Sequence, residues 1–492
     1  MTKRCILALD QGTTGNTALI LDDQGNILGK KNREFPQHFP KPGLVEHNPD
    51  DIWNGMLATI ADALDAAGVA GQDIAAIGIT NQRETTVLWD AETSQPVANA
   101  LVWQDRRTAD RCEQLRNGGH ADAIRAKTGL VIDPYFSATK LEWLLNQHDP
   151  ERQRASRLRF GTIDTFLVWK LTGGAVHATE PSNASRTMLF NIHDGRWDPD
   201  LLSLFGVPES ILPEVRPSAG HFGETRGLEL LPDGIPIAGI AGDQQAALFG
   251  QACFEPGQSK CTYGTGAFLL LNTGQAAPLS RHGVLTTIAW QLPDEPLCYA
   301  LEGSVFVAGS AVQWLRDGLG LINSAPEIEE LAASVPDSGG VTFVPALTGL
   351  GAPHWRAEAR GLISGLTRGT TRAHIARATL EGIALQIVEL IEAMNADAPE
   401  PLRELRVDGG ATANDLLMQI QADLARTTIV RPANIETTAF GAGFLAGLGA
   451  GIWPDRQRII DVWREDRRFA PAAAEEQVNA IRERWREAEQ KA

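Results

Sequence analysis

The sequence predicts an α/β protein built from two duplicated halves. Three observations carry that prediction. First, a short apolar strand, Ile6-Leu7-Ala8-Leu9 ending in Asp10, runs into the turn Gln11-Gly12-Thr13-Thr14-Gly15, and the pattern recurs at Cys261-Thr262-Tyr263-Gly264-Thr265-Gly266. Second, each half continues with a return strand, then a helix and a further buried strand. Third, the 492 residues suit more than one domain, and 43% hydrophobic with 21% charged residues is ordinary globular composition.

The elements follow in order. In the first half a second strand spans Thr17 to Leu21. The turn Asp22-Asp23-Gln24-Gly25-Asn26 and a third strand from Ile27 complete an antiparallel meander. Asn48-Pro49 reads as a helix start, with Asn48 as the cap and Pro49 at the first helical position. Ile52, Met56, Ile60 and Leu64 then recur at steps of four, the stripe of an amphipathic helix. Ala75 to Thr80 (AAIGIT) is a buried strand. In the second half Phe268 to Asn272 returns as a strand. A long helix places Ile375, Thr379, Ile383, Ile387, Leu390 and Met394 on one face. Leu405 to Asp408 is a strand into Gly409-Gly410, with a helix from about Asn414. A last amphipathic helix near Glu475 to Gln490 groups Val478, Ile481, Trp485 and Ala488. The boundary falls near Gly250, in a stretch without a flexible linker. The expected domains are therefore 1–250 and 251–492, packed together and moving as hinged bodies.

Charge and cysteine content exclude several classes. Lys and Arg number 44 against 61 Asp and Glu, a net charge of −17. Such a chain repels nucleic acid and anionic membranes, while leaving room for a local basic pocket. No apolar run approaches the ~20 residues of a membrane span. The start MTKRCILALD is too short in apolar residues for a signal segment. Five scattered cysteines (Cys5, Cys112, Cys253, Cys261, Cys298) without a C-x-x-C pair read as reduced thiols of a cytoplasmic protein and argue against a zinc site. The P-loop, protein-kinase, H-E-x-x-H and G-x-S-x-G motifs are absent. FGAGFLAGLG, at Gly441, Gly443 and Gly447, has the look of a dinucleotide fingerprint. It lacks the preceding strand and the later acid, so close helix packing is the better reading.

Three glycine turns remain. DQGTTG at 10–15 offers backbone N–H groups and hydroxyls to an anion, with Asp10 at a strand end where a carboxylate can hold Mg²⁺. YGTG at 263–266 is a second such turn. DGG at 408–410 opens a helix, where a phosphate or ribose can approach the backbone. Each alone is a tight turn. Three of them in duplicated halves fit a nucleotide clamped between two domains.

Runs through nearly the whole chain then point to a family: ALDQGTT, PKPGLVEHNP, IGITNQRETT, TGLVIDPYFSATK, NASRTMLFNI, IAGDQQAALFGQ, TYGTGAF, VPALTGLGAPHW, GLISGLTRG, RVDGGATAN and FGAGFLAGL. On these the chain resembles the FGGY carbohydrate kinases, and TNQRETT and AGDQQAALFGQ resemble the members that phosphorylate glycerol. The resemblance implies two actin-like (ribonuclease H-like) domains around a nucleotide-binding cleft. It implies ATP and Mg²⁺ as cofactors, ATP mostly on the second domain and glycerol mostly on the first. It also implies a homodimer or homotetramer.

Carried over to matching positions, the resemblance implies a glycerol site of Arg83, Glu84, Trp103, Tyr135, Asp243, Gln244 and Phe268. The chemistry is apt, since a triol needs several hydrogen-bonding groups and an apolar wall for its C–H face. Neighbours in a regular strand point to opposite faces. Arg83 and Glu84 can reach one ligand only from irregular backbone, so the strand is expected to end near Asn81. Asp243 is the implied general base and Asp10 the magnesium-linked acid. The implied nucleotide site is Thr13, Thr14, Gly15, Thr17, Thr265, Gly309, Gln313, Gly410 and Asn414.

Two departures stand out. Relatives usually carry an arginine where this chain has Thr17, and residues 5–29 contain no Lys or Arg. A missing cation beside a transferring phosphate lowers rate. In LLPDGIPI, Gly234 precedes Ile235-Pro236 and no histidine is near, so neither effector nor phosphorylation control is expected there. Other readings are a kinase for another polyol or sugar, a catalytically weakened glycerol-binding relative, and a non-enzymatic actin-like protein. The last has no reason to keep Arg83, Glu84 and Asp243 together.

Overall fold

A computed structural model describes residues 4–492, which divide into two compact units. The first holds the described residues up to Ala252, together with Thr286–Tyr299 and Thr437–Val462. The second holds Cys253–Leu285, Ala300–Glu436 and Trp463–Ala492. The first change of unit, after Ala252, falls close to the boundary drawn at Gly250. Two later stretches then return to the first unit.

The first unit is built on five strands: β1 (Cys5–Gln11), β2 (Gly15–Leu21), β3 (Ile27–Glu34), β4 (Ile74–Asn81) and β5 (Ile237–Gly242). Their spatial order is β5-β4-β1-β2-β3. β1, β2 and β3 form the antiparallel meander, and β4 and β5 join in parallel. β2 starts earlier than the apolar pattern suggested, because Gly15 and Asn16 already pair with Glu34 and Arg33. β1 is apolar on both faces because both are covered. On one face Cys5, Leu7 and Leu9 share a core with the helix Pro49–Ala67, whose Ile52, Met56, Ile60 and Leu64 are all buried. Asn48 caps that helix, its Oδ1 accepting from Asp50 N at 2.9 Å.

The opposite face lies under the helix Thr437–Gly449, which holds FGAGFLAGLG. A Cβ at Gly441 would overlap the Ala246 carbonyl oxygen, and one at Gly78 of β4 would overlap the carbonyl oxygen of Ala442. The glycines therefore let backbone approach backbone, as the sequence suggested, and no nucleotide turn is formed there.

The second unit repeats the plan. Its strands are β6 (Gln258–Tyr263), β7 (Ala267–Gly274), β8 (Cys298–Val305, belonging to this unit from Ala300), β9 (Glu404–Asp408), β10 (Ile429–Pro432) and β11 (Glu465–Phe469). They lie in the order β8-β7-β6-β9-β10-β11. β6 and β7 are antiparallel, β9 and β10 join in parallel, and β11 closes the edge antiparallel. Leaving β11 aside, this is the strand order of the first unit. The helix Arg372–Asp397 buries Thr379, Ile383, Ile387, Leu390 and Met394 of its stripe, with Ile375 half-buried. The helix Glu475–Glu489 buries Val478, Trp485 and Ala488. All five cysteines are free thiols. Among the described residues no helix is long and apolar enough to cross a membrane.

Candidate active site

In the first unit the ends of β4 and β5 bring Arg83, Glu84 and Asp243 together. β4 ends at Asn81, as the side-chain argument required. Glu84 then adopts φ 59°, a left-handed conformation that costs a glutamate on the order of 1–3 kcal/mol. Its surroundings over-determine it. Ser137 Oγ and Thr86 Oγ1 donate to the Glu84 carbonyl at 2.9 and 3.0 Å, and Arg186 Nε donates to its carboxylate at 2.7 Å. This kink lets two neighbouring charged residues serve one place.

Arg83 is the hub of the cluster. Its Nε lies 3.2 Å from Asp243 Oδ1 and 3.9 Å from Glu84 Oε1. Its terminal nitrogens donate to Tyr135 OH at 3.4 Å and to Gln245 Oε1 at 3.2 Å. Arg83 and Glu84 are almost wholly buried, whereas the Asp243 side chain is 31% exposed. Asp243 follows β5 directly and opens the helix Asp243–Gly250, so its carboxylate sits among amide N–H groups, with Gln244 N donating to Oδ1 at 2.7 Å. Gln244 follows on the first turn and is 7% exposed. The Trp103 and Tyr135 rings meet edge to face at 5.5 Å, and Trp103 Nε1 donates to Thr13 Oγ1 at 2.9 Å. This cluster is thereby tied to the first glycine turn. Phe268 lies on β7 of the second unit, paired with Thr262.

Three buried charges escaped the sequence analysis. Arg186 lies in NASRTMLFNI and holds Glu84. Lys140 is wholly buried, and its Nζ donates to the carbonyls of Pro134, Tyr135 and Phe136 at 2.7, 2.6 and 3.1 Å, pinning the loop that presents Tyr135. Burial pulls its ammonium down to about 8. Glu180 is also wholly buried, and burial pushes its carboxyl up to about 7 against the hydrogen bonds it accepts. The available signal was charge inside otherwise apolar or small-residue runs, which only a three-dimensional partner explains.

The first glycine turn joins β1 to β2 and is closed by Gly12 N donating to the Gly15 carbonyl at 2.9 Å. Thr14 is exposed, and Thr13 and Asp10 are half-buried. Gln82 N donates to the Gln11 carbonyl at 2.7 Å, linking this turn to the segment that carries Arg83. Thr17 pairs with Asp10 across the hairpin, and its Oγ1 accepts from Asn32 Nδ2 at 2.9 Å. The partner of Thr17 is thus a neutral amide.

In the second unit the corresponding turn has Gly264 N donating to the Gly266 carbonyl at 2.9 Å, with Thr265 exposed. The start of the helix Gly309–Asp317 docks on it. Gly309 N donates to the Gly264 carbonyl at 3.0 Å, and Ala308 N and Ser310 N donate to that of Thr265 at 2.9 and 3.1 Å. Gln313 is exposed one turn along. Gly409, at φ 89°, lies so close that a Cβ there would stand 2.5 Å from the Tyr263 carbonyl oxygen, and Gly410 beside it is exposed. Asn414 caps the helix Asp415–Ala425 by accepting from Leu417 N at 2.8 Å. Thr265, Gly309, Gly410 and Asn414 therefore lie at one end of this sheet. The second and third turns meet at one place, where Thr265 and Gly410 are exposed and glycines let backbone approach closely.

Comparison with known proteins places the chain in a family. The N-terminal domain model of the FGGY family of carbohydrate kinases covers residues 5–250, and the C-terminal domain model covers 259–450. The chain belongs to the FGGY family of carbohydrate kinases. Its FGGY relatives include a glycerol kinase of Aromatoleum aromaticum, 58% identical over 490 residues, covering 99% of this chain and 98% of the relative. A glycerol kinase of Bdellovibrio bacteriovorus is 56% identical over 489 residues, 98% of each chain. Among solved structures, a Plasmodium falciparum glycerol kinase with ADP is similar at TM-score 0.92 and 36% identity, covering 99% of this chain and 98% of that one.

Proposed function

We infer that this FGGY member transfers the γ-phosphoryl group of ATP to a terminal hydroxyl of glycerol, giving sn-glycerol 3-phosphate and ADP. The observation that carries the reading is the Arg83-centred cluster, in which Glu84, Tyr135 and Asp243 converge on one buried guanidinium at a strand–helix junction. Near-full-length similarity to glycerol kinases supports it.

In this reading Arg83, Glu84 and Gln244 bind the glycerol hydroxyls, and Trp103 and Tyr135 cover its carbon face. Asp243 Oδ takes the proton of the attacking hydroxyl, the new O–P bond forms, and the bond from the γ-phosphorus to the bridging oxygen breaks. Positioning dominates, because the transition state is loose. For phosphate binding, the first unit offers Thr13, Thr14, Gly15 and Thr17 on its own turn, and the second unit offers Thr265, Gly309, Gln313, Gly410 and Asn414 on its own. Asp10 is the assigned magnesium ligand. Among the described residues no cluster of three or more His, Cys, Asp or Glu is placed to hold a metal. One carboxylate with phosphate oxygens and water is the donor set that Mg²⁺ accepts. When bound, the ion neutralises phosphate charge.

A second reading, a weakened glycerol-binding relative, is favoured only by the neutral Thr17–Asn32 pair. One experiment separates the two. ADP release is followed with Mg-ATP and glycerol, dihydroxyacetone, erythritol, xylulose or gluconate, and glycerol binding is measured by calorimetry. Turnover is expected with glycerol, falling by about 10²–10⁴-fold in Asp243→Asn while binding persists. Binding without turnover in the unmodified chain supports the second reading. Turnover undiminished in Asp243→Asn removes Asp243 as the base.

A further inference from the structure

Glu180 makes more hydrogen bonds than a helix cap needs. It precedes the single turn Pro181–Ala184, and its carboxylate accepts from Ser182 N at 2.8 Å and Asn183 N at 2.7 Å, which satisfies that turn. It also accepts from two hydroxyls, Ser182 Oγ at 2.5 Å and Ser218 Oγ at 2.7 Å. In its ionised form Glu180 has no proton to give, so both hydroxyls point their hydrogens at it. Their oxygens are then left as acceptors. Ser182 Oγ accepts from Gly242 N at 2.9 Å, and Ser218 Oγ accepts from Gln291 N at 3.1 Å.

Gly242 is the residue before Asp243. Its other side is closed as well, since a Cβ there would stand 2.7 Å from the Arg83 side-chain carbons. The peptide leading into Asp243 is therefore held between Ser182 Oγ and the Arg83 stem. Asn183 hydrogen-bonds Asn81 side chain to side chain at 2.9 Å, so the same short turn also fixes the end of β4, from which Arg83 departs.

We propose that Glu180 is a positioning residue for phosphoryl transfer: by orienting Ser182 Oγ as an acceptor for Gly242 N, it sets the direction of the Asp243 carboxylate. This rests on Asp243 being the base. Glu180 touches no substrate in this scheme and acts only through Ser182. A plain structural role would make its two hydroxyl partners equivalent. The positioning role makes them unequal, because Ser182 Oγ holds Gly242, the residue before Asp243, whereas Ser218 Oγ holds Gln291.

The test compares Ser182→Ala, Ser218→Ala and Glu180→Gln in the full-length protein, reading kcat, KM for glycerol, calorimetric glycerol affinity and Tm. Ser182→Ala is expected to lower kcat on the order of 10- to 100-fold with little change in KM. Ser218→Ala is expected to lower Tm comparably and leave kcat within about twofold, since it loses a similar buried hydrogen bond. Glu180→Gln should follow Ser182→Ala. Added to Asp243→Asn, Ser182→Ala should cost nothing further, because the two act on one group. Equal kcat in the two serine variants overturns the proposal, as does a multiplicative loss in the double variant. If Glu180→Gln does not fold, the serine pair decides. Full activity in Asp243→Asn sinks both this inference and the general-base reading, whereas equal serine variants with an inactive Asp243→Asn sink this inference alone.

Discussion

His47 lies behind the first glycine turn, wholly buried, with Nε2 2.7 Å from Gln37 Oε1 and Nδ1 3.3 Å from Gln82 Nε2. The first contact needs a hydrogen on Nε2 and the second needs a lone pair on Nδ1, so the ring is neutral in the fold. Burial, with His38 adding to it, pulls its pKa from 6.5 down to about 4. The folded value lies below the unfolded one. The contribution is therefore complete above pH 6.5 and is lost as the pH falls toward 4. The unfolding free energy of the wild type relative to His47→Gln should fall by about 3 kcal/mol from neutrality to pH 4, measured by urea titration. A difference independent of pH would show that the ring charges in place. The same residue scale explains the buried charges at the site. Arg186 and Glu84 are 102 positions apart, and nothing local in NASRT marks its arginine as the partner of an acid so distant. The kink at Arg83-Glu84 was legible, because period-2 alternation forbids two neighbours from sharing a face.

At the scale of elements, the helix Thr437–Gly449 shows how glycine composition becomes contact. Its mean character is apolar all round, so the helix alone does not say which side it buries. The glycines do, by marking where backbone meets backbone. Gly441→Ala places a methyl on the Ala246 carbonyl oxygen and should cost at least ~1–3 kcal/mol, read as a lowered urea midpoint with unchanged slope. An unchanged midpoint would mean that the helix can shift outward without penalty. The helix Pro49–Ala67 is the opposite case. Its cap and stripe were readable because Asn-Pro chemistry and a four-residue step act within one turn.

For the whole molecule, the chain path matters more than its length. Each unit has the same strand order, yet the chain crosses back into the first unit at Thr286–Tyr299 and Thr437–Val462. The second return brings the helix that covers one face of β1, β4 and β5. A chain ending at residue 250 would leave that face bare. Such a fragment should show no cooperative urea transition and no ordered near-ultraviolet circular dichroism, unlike the full chain. A fragment that unfolds cooperatively would show the covering helix to be dispensable.

Local pattern was enough for the duplicated strand-turn-strand signature, the meander, the helix starting at Pro49, the end of β4 and the three glycine turns. All of these depend on residues within a few positions of one another. The family motifs then singled out Arg83, Glu84, Tyr135 and Asp243, which the fold brings together. Tertiary packing alone decided that Arg83 becomes the hub for Asp243, Glu84 and Tyr135. It also decided that Lys140, Arg186 and Glu180 are buried, and that two late segments belong to the first unit. The physical reason is common to these. A buried charge is tolerated only where partners converge on it, and for Arg83 and Arg186 those partners lie far along the chain, while a covering helix is chosen by the face it fits, so neither is written in its own neighbourhood.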